Sequence, residues 1–237
     1  MAIIHERGCP ANFVMLLCIS LHFITGFTGH TGFTGATGAT GARGRPGPAC
    51  IYNAELDFYP VMKRKMPYEN PVKEWEIGYA STAPLEEGGP NFIPFNMSFI
   101  DPMNPDVHCL GAGSNSFCQN VGIFPSNGMG PRQIALHPSQ GMYQYSILRF
   151  TAPQSGFFEI SSIFFAGEDG RVDVLIYQDD RLLKILGDTP ASYTFTALMS
   201  MGGYVDFVVG PSNDTSTDDF TPLDVTIRNL QCVGDTG

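Results

Sequence analysis

Basic side chains are scarce in this sequence, and their scarcity limits what the protein can bind. Lys and Arg together number 13 of 237 residues, against 23 Asp and Glu, and charged residues make up only 15% of the chain. The acidic excess lies after residue 49, because residues 1–49 hold three Arg and one Glu. An acidic surface repels nucleic-acid phosphates and anionic membranes. We therefore expect no nucleic-acid partner and no membrane contact beyond an amino-terminal anchor.

The sequence also lacks the short motifs that mark common catalytic sites. It contains no Gly-x-Ser-x-Gly nucleophile elbow, no His-Glu-x-x-His zinc motif and no phosphate-binding P-loop. The adjacent carboxylates Glu86-Glu87 and Asp179-Asp180 fall in predicted turns, and neighbouring residues of an extended chain point to opposite sides. We therefore expect a protein that is not an enzyme.

Long apolar runs are rare as well, and one lies near the amino terminus, at residues 12–27. Its length, about a dozen apolar residues, matches the hydrophobic region of a signal peptide and is short for a membrane span. We interpret residues 1–25 as a signal peptide or signal anchor and expect a secreted or cell-surface protein. A truncated start, with part of a longer repeat missing, is the alternative.

Glycine recurs with a strict period of three across residues 26–49. Where three polyproline-II chains wind around one axis, every third residue must lack a side chain, so this period predicts a short collagen-like triple-helical stalk and a homotrimer. Only the last two triplets contain proline, at Pro46 and Pro48, so the adjoining domain must help to bring three chains together. The glycines of the repeat are Gly26, Gly29, Gly32, Gly35, Gly38, Gly41, Gly44 and Gly47.

Beyond Cys50 the period of three gives way to short apolar or alternating runs separated by turn residues. Residues 172–176 alternate as a strand does, and Asp179-Asp180 predicts a hairpin turn. No stretch keeps a helical period over three turns. We predict an all-β domain at 50–232, an antiparallel two-sheet jelly-roll sandwich, with a flexible tail at 233–237. The predicted strands are Glu74–Tyr79, Phe92–Asn96, Asn120–Phe124, Gln133–His137, Ser146–Thr151, Gly156–Ala166, Arg171–Gln178, Arg181–Leu186, Ser192–Met199, Tyr204–Gly210 and Leu223–Leu230.

Several segments of this domain resemble known families. NPVKEWEIGYAS, ALHPS, LRFTAPQSGFFEIS, VDVLIYQDDRLL and YVDFVVGPSNDTSTDDFTPLDVTI resemble β-sandwich modules of secreted proteins that belong with the galactose-binding-like jelly rolls. TAPQSGFFEIS is also similar to the trimeric C1q-like and tumour-necrosis-factor-like heads that cap collagen stalks. Neither resemblance implies catalysis, and the second implies a trimer.

Four cysteines follow the stalk, at Cys50, Cys109, Cys118 and Cys232. They allow three pairings. If antiparallel strands bring the ends of the domain together, Cys50 pairs with Cys232, and Cys109 pairs with Cys118 across a glycine-rich loop. In the alternative, Cys50 links the chains of a trimer. No Cys-x-x-Cys spacing supports a metal site, which would use His108, Cys109, Cys118 and His137.

Acidic residues concentrate in a loop near the carboxyl terminus. Asp214, Asp218 and Asp219 lie within six residues, and Asp224 opens the last predicted strand. Calcium prefers several carboxylate and carbonyl oxygens, so these four aspartates predict a structural calcium site. The galactose-binding-like resemblance implies that such an ion ties the last strand to the start of the domain, where Glu55 or Asp57 would match. A solvated acidic loop is the alternative.

Glycan recognition requires an exposed aromatic surface with hydrogen-bonding groups beside it. Trp75 and Tyr79 are the candidate ligand-binding residues, and a core position for Trp75 is the alternative. Sequons at Asn96 and Asn213 predict N-glycosylation on surface loops of a secreted chain. Two functions follow: an extracellular structural or adhesive protein whose trimeric head contacts glycans or extracellular matrix, and a carbohydrate-binding module on a collagen-like stalk.

Overall fold

The computed structural model of the protein describes residues 50–64, 66–81, 88–112, 115–139, 145–166, 172–187, 189–211 and 220–232. The predicted signal segment, stalk and tail lie outside these residues. So do the predicted calcium ligands Asp214, Asp218 and Asp219 and the sequon at Asn213. Within the described ranges, no helix is long and apolar enough to cross a membrane.

The described residues form fourteen strands and one helix. In chain order these are β1 (Ile51–Asn53), α1 (Ala54–Met62), β2 (Trp75–Ala80), β3 (Ile93–Pro94), β4 (Met97–Ile100), β5 (Val107–Ala112), β6 (Asn115–Asn120), β7 (Ile134–His137), β8 (Tyr145–Thr151), β9 (Gly156–Phe164), β10 (Val172–Gln178), β11 (Arg181–Gly187), β12 (Ala191–Met199), β13 (Tyr204–Pro211) and β14 (Thr221–Asn229).

The strands form two antiparallel sheets that pack face to face. The first sheet has the order β12-β9-β14-β7-β6-β5-β4, with β1 also paired to β14, and the second has the order β11-β10-β13-β8-β2-β3. We call them sheet A and sheet B. This arrangement confirms the predicted antiparallel jelly-roll sandwich.

The core lies between the two sheets and is built by strand alternation. In β9 of sheet A, Phe158 and Ile160 are fully buried, whereas Phe157 and Glu159, which alternate with them, are exposed. In β8 of sheet B, Leu148 and Phe150 are fully buried. Successive side chains of a strand point to opposite faces, so Arg149 between them lies on the outer face of sheet B.

Helix α1 crosses from β1 toward β6 and was not predicted from the sequence. The side chain of Asn53 caps its start by accepting a hydrogen bond from the Leu56 backbone N–H at 2.9 Å. The helix buries Phe58 and Met62 completely, and the Phe58 ring lies 4.6 Å from that of Phe117 on β6. It is nine residues long and contains Pro60, so its stability depends on this packing rather than on helix propensity.

Both disulfides that were predicted from antiparallel topology are present. Cys50 bonds to Cys232 across a sequence separation of 182 residues and so joins the two ends of the described domain. Cys109 bonds to Cys118, which lies directly opposite it in the β5–β6 ladder. All four cysteines are thus paired within one chain. The structure therefore excludes a metal site that uses the thiolates of Cys109 and Cys118.

The strand registers show which residues lie at each end of the sandwich. Cys50 and Cys232 lie next to the Ile51–Arg228 pair, at the end where β9 begins at Gly156 and β12 ends at Met199. We call this the disulfide end. The opposite end holds Ala80, Tyr145 and Pro211, and we call it the loop end.

Two sequence predictions about local structure were wrong in the same region. The predicted strand Asn120–Phe124 is displaced: the strand is β6, which ends at Asn120, and residues 121–124 are not in a strand. The glycine-rich stretch between Cys109 and Cys118 was read as a loop, but most of it belongs to the β5–β6 hairpin. Burial of β6 and the disulfide between the strands stabilise extended structure where the local sequence suggests a turn.

Candidate functional site

Trp75 is part of the core, which corrects the prediction that it forms a sugar-binding surface. Its side chain is fully buried, its ring centroid lies 5.1 Å from that of Phe150, and its indole N–H donates to Asp57 Oδ2 at 3.0 Å. No face of the ring is open to a ligand. Tyr79 is partly buried and stacks on Phe95 at 5.7 Å, as part of the same apolar packing.

A cluster of charged and aromatic side chains lies on the outer face of sheet B instead. Arg149 on β8 donates two hydrogen bonds to Asp206 on β13, from Nε to Oδ1 at 2.7 Å and from Nη2 to Oδ2 at 2.8 Å. The Arg149 guanidinium carbon lies 4.2 Å from the ring centroid of Phe92 and 3.9 Å from that of Tyr204. We call Phe92, Arg149, Tyr204 and Asp206 the outer cluster.

The charges of the outer cluster are strongly shielded from water. The Asp206 side chain is fully buried, and that of Arg149 is 15% exposed. Burial raises the pKa of Asp206, and the hydrogen bonds and charge of Arg149 oppose that rise. Burial also raises the pKa of Tyr204 to about 12, and its hydrogen bond to Asp180 adds to the rise. The tyrosine is therefore a neutral hydrogen-bond donor at physiological pH.

Two glycines make room for aromatic rings on this face. A Cβ built on Gly78 of β2 would meet the Phe92 ring at 2.8 Å and overlap the Ile93 carbonyl, and one built on Gly210 of β13 would overlap the ring of Tyr145. Glycine inside a strand often marks such a close approach. The partly exposed ring of Phe92 and the buried ring of Tyr145 therefore sit directly on the sheet. Glu76 also lies on this face, opposite Arg149 in the ladder.

A second group of polar residues connects the start of the domain to its last strand. Burial raises the pKa of Glu55, and the charge of Asp224 raises it further, while Arg132 opposes the rise. Asp224 Oδ1 is buried and has no hydrogen-bond partner. Two carboxylates whose charges interact are unfavourable unless a proton or a cation offsets their charge. We call Glu55 and Asp224 the carboxylate pair.

The remaining site residues that were predicted from the sequence and that the structure describes lie in different parts of the fold and form no common site. Asp57 forms an ion pair with Lys73 and accepts from Trp75, so both of its oxygens are engaged. His108 Nδ1 lies 2.7 Å from the Tyr68 hydroxyl. Asn96 is exposed between β3 and β4, as its sequon predicts for a surface position. Among the described residues, no three His, Cys, Asp or Glu side chains form a group that could hold a metal ion.

The outer cluster was not predicted from the sequence. A local signal was available, because Arg149 and Asp206 interrupt the apolar runs YSILRFT and YVDFVVGP. Their partnership depends on the β8–β13 register, which places Arg149 directly opposite Asp206. That pairing joins residues 57 positions apart and is not visible in either run alone.

Comparisons with known proteins give limited similarity. No protein-family model and no curated protein sequence match the chain. A family 35 carbohydrate-binding module from Clostridium thermocellum is 12% identical, over 56% of this chain and 88% of that one, with a TM-score of 0.27. A family 51 module from Clostridium perfringens, in complex with methyl-galactose, is 10% identical, over 57% and 94%, with a TM-score of 0.31. The secreted serine protease VesC from Vibrio cholerae is 10% identical, over 56% and 28%, with a TM-score of 0.31. These values support no conclusion about ligand or activity.

Proposed function

We propose that the chain is an extracellular display protein in which a collagen-like stalk gathers three chains and each chain carries a β-sandwich head. The observation that carries this proposal is the direct succession of eight Gly-X-Y triplets and a head closed at its first residue by Cys50–Cys232. Two intrachain disulfides are typical of proteins that fold in an oxidising compartment, which supports secretion. The apolar run at residues 12–27 supports export by a signal peptide or signal anchor.

The trimer is tested by measuring the mass of the full chain in solution. Sedimentation equilibrium is expected to give three times the chain mass of 25.8 kDa at high micromolar concentration, because a triple helix requires three chains. Dissociation to monomers on dilution is compatible with a stalk that contains little proline. A mass of one chain at every concentration would contradict the proposal.

Glycan binding by the head is a second candidate function. It is favoured by the outer cluster, because the partly exposed rings of Phe92 and Tyr204 lie beside the charged side chains of Glu76 and Asp180. Sugars are bound by aromatic surfaces that stack on apolar C–H groups and by polar groups that hydrogen-bond to hydroxyls. In a trimer, three weak sites would act together through avidity.

A glycan array probed with the full chain tests this second function. We expect binding that is lost in Tyr204→Ala, because the change removes both a ring and a hydroxyl donor from the outer face. Tyr193→Ala, a change of the same residue type on β12 of the other sheet, is the control and is expected to bind as the wild type does. Glycan binding that persists in Tyr204→Ala would exclude the outer cluster as the site.

We also propose a structural calcium ion at the carboxylate pair. Glu55 and Asp224 supply hard oxygen ligands from the start and the last strand of the head, and Asp224 Oδ1 is buried with no hydrogen-bond partner. Calcium takes six to eight oxygen ligands. The further ligands predicted from the sequence, Asp214, Asp218 and Asp219, lie outside the described residues. An ion here would offset two interacting negative charges in a head with a large acidic excess.

Thermal unfolding with and without calcium tests the ion. A ligand that binds only the folded head stabilises it by about 2.7 kcal/mol at a hundredfold excess over Kd. Calcium is therefore expected to raise the melting temperature of the wild type, and Asp224→Asn and Glu55→Gln should remove most of the increase. Glu69→Gln, at an exposed position elsewhere, should leave it intact. Identical melting curves in calcium and in chelator would contradict the proposed calcium ion.

A further inference from the structure

Four exposed apolar side chains lie on or next to neighbouring strands on the outer face of sheet A, at the disulfide end. Leu198 on β12 lies directly opposite Phe157 on β9, and the backbone N–H of Leu230 donates to the Phe157 carbonyl at 2.8 Å. Ile51 on β1 is paired with Arg228, which is paired in turn with Glu159 on β9. We call Ile51, Phe157, Leu198 and Leu230 the apolar patch.

The exposure of the apolar patch is not a requirement of the fold. The inward positions next to its members are already filled by Tyr52, Phe158 and Met199, all buried. The patch residues project the other way and are 65% (Leu198), 54% (Ile51), 49% (Leu230) and 45% (Phe157) exposed. Single exposed apolar residues are ordinary, but a contiguous group of large ones marks an interaction site.

The charges around the apolar patch make it the part of the head where a second copy of the chain meets the least repulsion. The head carries a large acidic excess, so two heads repel each other over most of their surfaces. Among the described strand residues of this face, Glu159 and Arg228 are charged; they lie opposite each other in the ladder and have opposite signs. Their charges balance locally. The outward residues of β12 beyond them are the uncharged Ser192, Thr194 and Thr196.

The position of the patch in the chain identifies its occupant. Ile51 directly follows Cys50, the first residue after the Gly-X-Y repeat. Chains that wind around one axis leave it side by side, so the residues that follow the repeat in three chains must lie close together.

We propose that the apolar patch is the surface through which the heads of three copies of this chain pack against one another at the end of the stalk. The inference rests on the proposed stalk-and-head trimer and adds the face that makes the contact. The repeat contains proline only in its last two triplets. The patch therefore supplies the association that the repeat lacks and sets the stalk in register.

Sedimentation equilibrium of full-length variants over a range of concentrations tests the patch. Leu198→Glu places a charge at its most exposed member and is expected to raise the concentration at which half of the trimer dissociates by at least tenfold. Ile51→Glu, on a different strand, should act in the same way and is the second variant if Leu198→Glu does not fold. Ile185→Glu is the control, because Ile185 is 56% exposed on β11 of sheet B, and it should dissociate as the wild type does.

The possible outcomes separate the patch from the trimer itself. Wild-type trimers with an unchanged concentration dependence in folded Leu198→Glu would overturn the patch and leave the proposed function standing. Dimers in place of trimers would overturn the threefold arrangement. Wild-type monomers at every concentration would contradict the proposed function together with the patch. If Ile185→Glu weakens the trimer as much as Leu198→Glu does, the effect is one of added charge in general, and the apolar patch is not the contact surface.

Discussion

Removing the disulfide between Cys50 and Cys232 by alanine substitution of both residues is expected to lower the free energy of unfolding of the head by roughly 5 kcal/mol. The bond closes a loop of 182 residues and therefore restricts the unfolded chain strongly. It lies beside the pairing of β1 with β14, where Asn229 also donates its backbone N–H to the Cys50 carbonyl at 2.9 Å. A loss of this size approaches the whole stability of many domains.

The second disulfide provides a matched comparison for the first. Cys109 and Cys118 are separated by nine residues, so the same chain-entropy argument gives roughly 3 kcal/mol for their replacement by alanine. Urea unfolding of the two double variants measures both losses. An unchanged free energy of unfolding without Cys50–Cys232 would contradict the account, and chains linked through Cys50 under non-reducing conditions would contradict the intrachain pairing.

Truncating Asp206 to alanine is expected to destabilise the head by 3–5 kcal/mol, roughly as for other buried ion pairs that lose one partner. The Arg149 guanidinium would remain largely buried, with its two hydrogen bonds to Asp206 gone and with the rings of Phe92 and Tyr204 still packed against it. The cost comes from the unpaired charge rather than from the lost contact alone.

A double variant separates these two contributions. Replacing both partners, in Arg149→Met with Asp206→Leu, removes the buried charge together with its counter-ion, and such replacements are often neutral or stabilising. The double variant is therefore expected to be more stable than Asp206→Ala alone in urea unfolding. The single variants Arg149→Met and Asp206→Leu complete the comparison. If the double variant loses as much stability as these two lose together, Arg149 and Asp206 are not energetically coupled.

Local sequence patterns predicted the parts of the fold in which strand alternation and turn chemistry agree. The hairpin β10–β11 is an example: its turn residues Asp179 and Asp180 both have positive φ, at 47° and 65°, as the tightest hairpin turns require. The closure of the domain by Cys50 and Cys232 followed from the same antiparallel topology. These features depend on neighbouring residues or on the chain ends.

The parts that escaped prediction depend on contacts between distant segments. Helix α1 has a short, proline-containing sequence and is stabilised by burial of Phe58 and Met62. The sequence allows Trp75 either a core position or a place in a sugar-binding surface, and its complete burial in the fold decides for the core. The apolar patch combines residues of β1, β9 and β12 with Leu230, which follows β14, so it can be recognised only when the order of sheet A is known.

The central claim, that the glycine repeat winds three of these chains together, is tested most directly by the mass of two full-length variants. Gly38→Ala places a methyl group at the crowded axis of a triple helix, whereas Ala39→Ser adds one atom at an outward position. Sedimentation equilibrium at a fixed concentration is predicted to give trimers for the wild type and for Ala39→Ser, and a reduced mass for Gly38→Ala. Equal masses for all three proteins would contradict the account.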